Sequence, residues 1–177
     1  VDLFDDPNSP TAWRSSSMLN GSPGSHSTVP ASLQIQISEI YATSDLNKAD
    51  DVDFVELWNP SETEIDLSGW RITDSGLELD RYILPIGTMI EPKSWLAVPL
   101  TVGTELGNDS AGFALGASGE TLFLYDSLGQ PVDGIRFGQQ VTGYSISRIT
   151  NRWRLSLPSP NGENNEAPTA NASVLSI

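Results

Sequence analysis

Residues 52–70 read VDFVELWNPSETEIDLSGW. In an extended chain successive side chains alternate between two faces. Phe54 and Trp58 then fall on one face, and Val55 and Leu57 on the other. Bulk on both faces predicts a central strand rather than an edge. Asn59-Pro60 ends it, because proline cannot donate to a ladder and asparagine favours turns. A second run places Ile65 and Leu67 on one face and turns again at Ser68-Gly69. Short apolar runs punctuated this way predict β structure.

The pattern extends in both directions. In LQIQISEIYA (33–42), Leu33, Ile35 and Ile37 alternate with Gln34, Gln36 and Ser38. The phase then slips so that Ile40 is apolar, which predicts a bulge near Ser38. RYILP (81–85), SWLAVPL (94–100), ETLFLYD (120–126), PVDGIRF (131–137) and YSISRI (144–149) read as further strands. Leu96, Val98 and Leu100 share a face, as do Leu122 and Leu124. DSLGQP (126–131) predicts a hairpin loop in which Gly129 takes the left-handed conformation. No window carries a capped 3.6-residue period. The expected fold is all-β: an immunoglobulin-like β-sandwich of about eight or nine strands with no substantial helix.

Charge and composition exclude several functions. Nine Lys+Arg against twenty-three Asp+Glu give 177 residues a net charge of −14. Such a chain opposes nucleic acid and anionic membranes, both of which need cationic neutralisation. No apolar run is long enough to span a bilayer, and no basic, signal-like leader is in view. Val1 at the start reads as a processed protein or an excised piece. With no cysteine, thiol catalysis, disulfides and Cys-zinc sites are excluded. The single histidine, His26, lies in NGSPGSHSTVP, a setting for a solvated loop residue rather than for a rigidly held triad member. Acid–base chemistry would fall to carboxylates, and nothing in the sequence pairs two of them.

Three segments carry a family likeness: ISEIYA (37–42), DFVELWNPSETEIDLSGWRITD (53–74) and FALGASGETLFLYDSLGQPVDGIRFG (113–138). Together with Ile86-Gly87-Thr88 through Pro92, they make the chain from about Ile37 to Trp153 resemble a lamin-tail domain. Lys93 and Ser94 depart from the glycine usual after that proline. The resemblance implies an immunoglobulin-like sandwich acting as a non-catalytic interaction module. The bacterial and archaeal forms, which occur in large secreted or surface proteins, are the more similar.

The flanks differ in composition. SSSMLNGSPGSHSTVPAS (15–32) and LPSPNGENNEAPTANA (157–172) read as linkers. One phrase also occurs twice: WRSSSMLNGSPG (13–24) and WRLSLPSPNG (153–162), with Trp13, Arg14 and Ser16 matching Trp153, Arg154 and Ser156. Lamin-tail modules commonly close on such a phrase. The expected organisation is therefore 1–30, the tail of a preceding module plus linker; 31–156, the sandwich; and 157–177, a linker and the start of a following β-sandwich repeat, which NEAPTANASVLSI resembles. The alternative is that residues 1–14 add a strand to this same domain.

No catalytic, cofactor-binding or metal residue is assigned. The closest chemical candidate is DLNKADDVD, where Asp45, Asp50, Asp51 and Asp53 offer hard oxygen ligands of the kind calcium takes. It lacks the spacing and glycine of a calcium loop, and a solvated charged loop is the preferred reading. Asp5, Asp6 and Asn8 form a smaller group of the same kind. Glu56, between Val55 and Leu57, is expected to accept hydrogen bonds from backbone or turn groups rather than to catalyse. Trp58, Trp70, Trp95 and Trp153 are expected in packing, with a sugar-stacking platform as the alternative. Trp13 is expected to be exposed. Asn20, Asn108 and Asn171 begin N-x-[ST] triplets at a frequency near chance.

The function expected is a non-catalytic interaction or spacer module of a secreted or cell-surface bacterial multidomain protein. It would be monomeric, with neighbouring domains of the same polypeptide and protein or polysaccharide ligands as partners. The alternatives are calcium-assisted carbohydrate or surface-polymer recognition and, further off, a carboxylate-based hydrolase.

Overall fold

The computed structural model describes residues 35–42, 52–100 and 113–167. Twelve strands occur in chain order. They are β1 (Gln36–Tyr41), β2 (Phe54–Trp58), β3 (Ile65–Asp66), β4 (Arg71–Thr73), β5 (Tyr82–Ile83) and β6 (Met89–Ile90). There follow β7 (Trp95–Pro99), β8 (Thr121–Tyr125), β9 (Pro131–Arg136), β10 (Ser145–Ile149), β11 (Arg152–Leu157) and β12 (Asn165–Glu166). Eight have three or more residues and four have two; the runs read as strands in the sequence correspond to β1, β2, β3, β5, β7, β8, β9 and β10. No helix is present among the described residues.

One sheet has six strands in the order β12-β11-β10-β1-β2-β7, and the other has four in the order β5-β4-β8-β9. β3 and β6 form a two-stranded ribbon, and all pairings are antiparallel. The core lies between the sheets. Ile37, Ile40, Val55, Leu57 and Val98 from the larger sheet, with Ile35 just before β1, meet Ile72, Leu122, Leu124 and Ile135 from the smaller. Leu67, Trp70 and Leu84 belong to the same core.

The bulge falls at Ser38. Ile37 pairs with Leu57 and Glu39 with Glu56, so Ser38 is the extra residue. It allows Ile37 and Ile40, three apart, both to face the core. Asp133 of β9 ties the bulge to the second sheet, accepting from the Ile37 amide at 2.9 Å and from Arg148 Nη2 at 3.0 Å. Gly129 adopts φ +77°, as its loop requires, and its N–H donates to Asp126 O at 3.0 Å.

After β2 the chain is fixed by Asn59, whose side chain is fully buried. Its Nδ2 donates to the carbonyls of Thr63 (2.8 Å), Ile90 (3.2 Å) and Glu91 (3.0 Å). Its Oδ1 accepts from the Ser61 amide at 3.0 Å and the Ser61 hydroxyl at 2.7 Å. One side chain thus organises the turn after β2 and the end of β6.

β4, β6, β11 and β12 arise where the sequence predicts no separate strand. The two-residue pieces are too short to show a period, and β11 ends in Ser/Pro-rich sequence that reads as a turn. Composition assigns residues from 157 onward to a linker, yet the chain runs along the sandwich as far as Ala167. Glu166 pairs with Ser156, and the Ala167 amide donates to Leu155 O at 3.0 Å.

Candidate functional site

The outer face of an antiparallel sheet is ordinarily wet. In the six-stranded sheet its centre is covered. Glu39 and Glu56 sit directly opposite each other on β1 and β2, away from the core face, and both are fully buried. The segment 158–164, between β11 and β12, lies over them as a strap. Buried carboxylates are tolerated only when their oxygens are satisfied. Here the satisfaction comes from serine hydroxyls and strap amides.

Glu39 Oε1 accepts from Ser147 Oγ at 3.1 Å and from Ser145 Oγ. Its Oε2 accepts from the Ser159 amide at 3.2 Å and the Ser159 hydroxyl at 3.1 Å. Glu56 Oε2 accepts from Ser38 Oγ at 2.8 Å, and Oε1 from the Asn161 amide at 2.8 Å. Ser145, Ser147 and Ser156 join through their hydroxyls beneath the strap. Asn161 Oδ1 also accepts from the Ala97 amide of β7 at 2.8 Å, and Asn164 Nδ2 donates to Ser38 O at 3.2 Å. The strap is therefore pinned to β1, β2 and β7, and β12 anchors its far end on β11.

Two like charges opposite each other across a ladder repel. Burial is the largest effect on Glu56 and pushes its pKa up to about 7; the Glu39 charge adds to the rise. Hydrogen bonds from Ser38, Asn161 and Gly162 oppose it. The folded state then holds the Glu56 proton more tightly than the unfolded chain does. Its contribution to stability is fully present below the unfolded value of about 4.5 and is lost as pH rises to about 7. Urea midpoints measured between pH 5 and 8 should fall more steeply for the wild-type protein than for Glu56→Gln. The difference should be on the order of 1–3 kcal/mol. Equal slopes for the two proteins would show that Glu56 does not titrate in this window.

The arrangement is poorly suited to catalysis. A general acid or base must reach a substrate atom, and neither carboxylate has an exposed atom or an open approach. Among the described residues no group of three or more His, Cys, Asp or Glu could hold a metal ion.

Glu56 takes the acceptor role read from its strand. Asp53 is buried, and its Oδ2 accepts from the Leu115 amide at 3.1 Å. Its carboxylate thus serves the sandwich rather than lying in a solvated loop. Asp45, Asp50 and Asp51 lie outside the described residues, as do Asp5, Asp6, Asn8, Trp13, Asn20, His26, Asn108 and Asn171. Trp70 is in the core. Trp153 packs against the core and lies under the Arg148 guanidinium, 5.3 Å from its ring centroid. Trp58 and Trp95 are cross-strand partners on the outer face, stacked with centroids 4.2 Å apart, and both are half-buried. Sequence reasoning does not single out Glu39 and its serines. The available signal is the alternation Ser145, Ser147 in YSISRI, a small polar face on a strand otherwise built for burial.

A family model described as the Lamin Tail Domain matches residues 28–139. The matched region holds β1 to β9 and ends before β10, β11, the strap and β12. No curated protein matches the chain.

Proposed function

The chain belongs to the lamin tail domain family, and on that premise we propose that it is a non-catalytic interaction or spacer module of a secreted or cell-surface bacterial multidomain protein. The observation that carries the reading is the sealed carboxylate pair. The acidic residues best placed for chemistry are spent on holding the strap. A net charge of −14 favours a self-repelling, monomeric module. The Ser/Gly/Pro composition of residues 15–32 suits a tether to a neighbouring domain.

The repeated phrase gains a physical meaning. In its second copy, Trp153 packs on the core, Ser156 joins the serine cluster, and Ser159 and Asn161 bond the two carboxylates. That copy closes a sandwich. We read the first copy, within residues 1–30, as the tail of a preceding module followed by its linker.

The test is a hydrolysis screen with p-nitrophenyl esters, glycosides and phosphates. Rates should match buffer and be unchanged in Glu39→Gln and Glu56→Gln. Turnover that disappears in either variant would overturn the non-catalytic reading.

A further inference from the structure

At the end of the outer face that carries Trp58 and Trp95 lies an open cleft of about 260 Å³. We propose that this cleft binds a neutral saccharide, with a sugar ring against the indoles and its hydroxyls on Gln36, Thr150, Asn151 and Glu163. The proposal rests on the module being non-catalytic and names a ligand for it.

Five parts of the fold build the cleft. β2 and β7 supply the tryptophan pair, Gln36 begins β1, and the β10–β11 hairpin and the strap supply the remaining wall. A stacked indole pair is a large apolar surface. On a core face it would be covered, but here both rings remain half-open to the cleft. The side chains of Gln36, Thr150, Asn151 and Glu163 make no hydrogen bond to other described residues. Amide, hydroxyl and carboxylate groups of this kind match sugar hydroxyls, each of which donates and accepts. The apolar C–H face of a pyranose matches an indole. The volume lies just below the range of about 300–1,000 Å³ for drug-sized sites, on the scale of a small polar ligand.

The charge selects among aromatic-stacking ligands. A base-stacking site for nucleic acid needs a cationic groove; this wall carries Glu163, its cation Arg148 is neutralised by an ion pair with Asp133, and the protein has a net charge of −14. Acidic sugars meet the same repulsion, so a neutral sugar is the fit.

The hairpin tip adds an independent observation. Thr150 (φ +47°) and Asn151 (φ +62°) form a two-residue turn with both residues left-handed. Asparagine and glycine suit that geometry, whereas β-branched threonine does not. Strained residues of this kind collect at binding sites. Here both of these residues line the cleft.

The test uses the 177-residue protein. Cellohexaose, chitohexaose, xylohexaose and mannohexaose are titrated by calorimetry and indole fluorescence, with an oligogalacturonate as the anionic comparison. At least one neutral oligomer should bind with Kd at or below about 1 mM and perturb the indole emission. EDTA should not change the affinity. Trp58→Ala should raise Kd about tenfold or more. Should that variant fail to fold, Asn151→Ala at the hairpin tip should raise Kd about threefold or more on an intact sandwich. The absence of binding by every neutral oligomer would overturn the proposal. So would a preference for the anionic one, or affinity retained in both Trp58→Ala and Asn151→Ala. Hydrolysis of a bound oligomer would instead overturn the non-catalytic reading while leaving the cleft as a sugar site.

Discussion

Asn59→Ala is expected to lower the stability of the domain by about 3–5 kcal/mol. The side chain is fully buried and serves five hydrogen bonds. Alanine removes both partners' chemistry at once. The carbonyls of Thr63, Ile90 and Glu91 lose their donor, and the Ser61 amide loses its acceptor. Each buried polar group left unpaired costs about 1–3 kcal/mol, and water entering the gap would recover part of the total. Asn59→Asp is a sharper probe because it keeps the shape. It places a carboxylate oxygen where Nδ2 donated, against three carbonyl oxygens, and should destabilise at least as much at pH 7. Urea unfolding at constant m-value would measure both. A loss under about 1 kcal/mol in Asn59→Ala would mean that the turn after β2 holds itself without the side chain.

Gly119→Ala is expected to cost about 2–5 kcal/mol, for a different reason. Gly119 has φ +97°, and a Cβ there would lie 2.5 Å from Phe137 O, 2.6 Å from Gly138 C and 2.7 Å from Gly138 Cα. All three are backbone atoms, so no rotamer change relieves the clash. The crowded strand end is itself bonded, with the Phe137 amide donating to Glu120 O at 3.0 Å. The left-handed conformation costs a non-glycine residue about 1–2 kcal/mol, and forced overpacking about 1–3 kcal/mol more. Gly76→Ala is the natural comparison, since a methyl group there would meet nothing within 4 Å and its φ is not in the left-handed range. Thermal unfolding should show Gly76→Ala near wild type and Gly119→Ala well below it. Similar melting temperatures for the two would refute the steric account.

Much of the frame was legible in short-range pattern. The phase slip after Ile37 located the bulge at Ser38, because a period of two cannot absorb an extra residue silently. The bulk on both faces of FVELW marked an interior strand, and Gly129 marked its loop. Glu56 was legible as a carboxylate trapped between core residues. Its neighbour Glu39 was not, because their meeting depends on β1–β2 register, which the bulge shifts. The strap was hidden for a related reason. Ser, Pro, Asn and Gly describe how a segment bends, not what it lies on, so 158–164 reads as a linker although it covers two charges. Asp53 sits among aspartates that read as a solvated loop, yet the Leu115 amide that it holds is sixty-two residues away.

The position of β1 bears on how the protein is made. β1 leaves the ribosome before its partners, pairs with β2, and receives its other neighbour only when β10 arrives. Ser145, which donates to Glu39, follows it by 106 residues. At translation speeds of about 5–20 residues per second, the nascent sheet keeps one side of β1 open for roughly 5–20 s. An unpaired flat strand is an invitation to pair with another chain, and bulges and charges are the usual deterrents. β1 carries both, at Ser38 and Glu39. The features that later seat the strap thus guard the growing chain against its neighbours on a polysome.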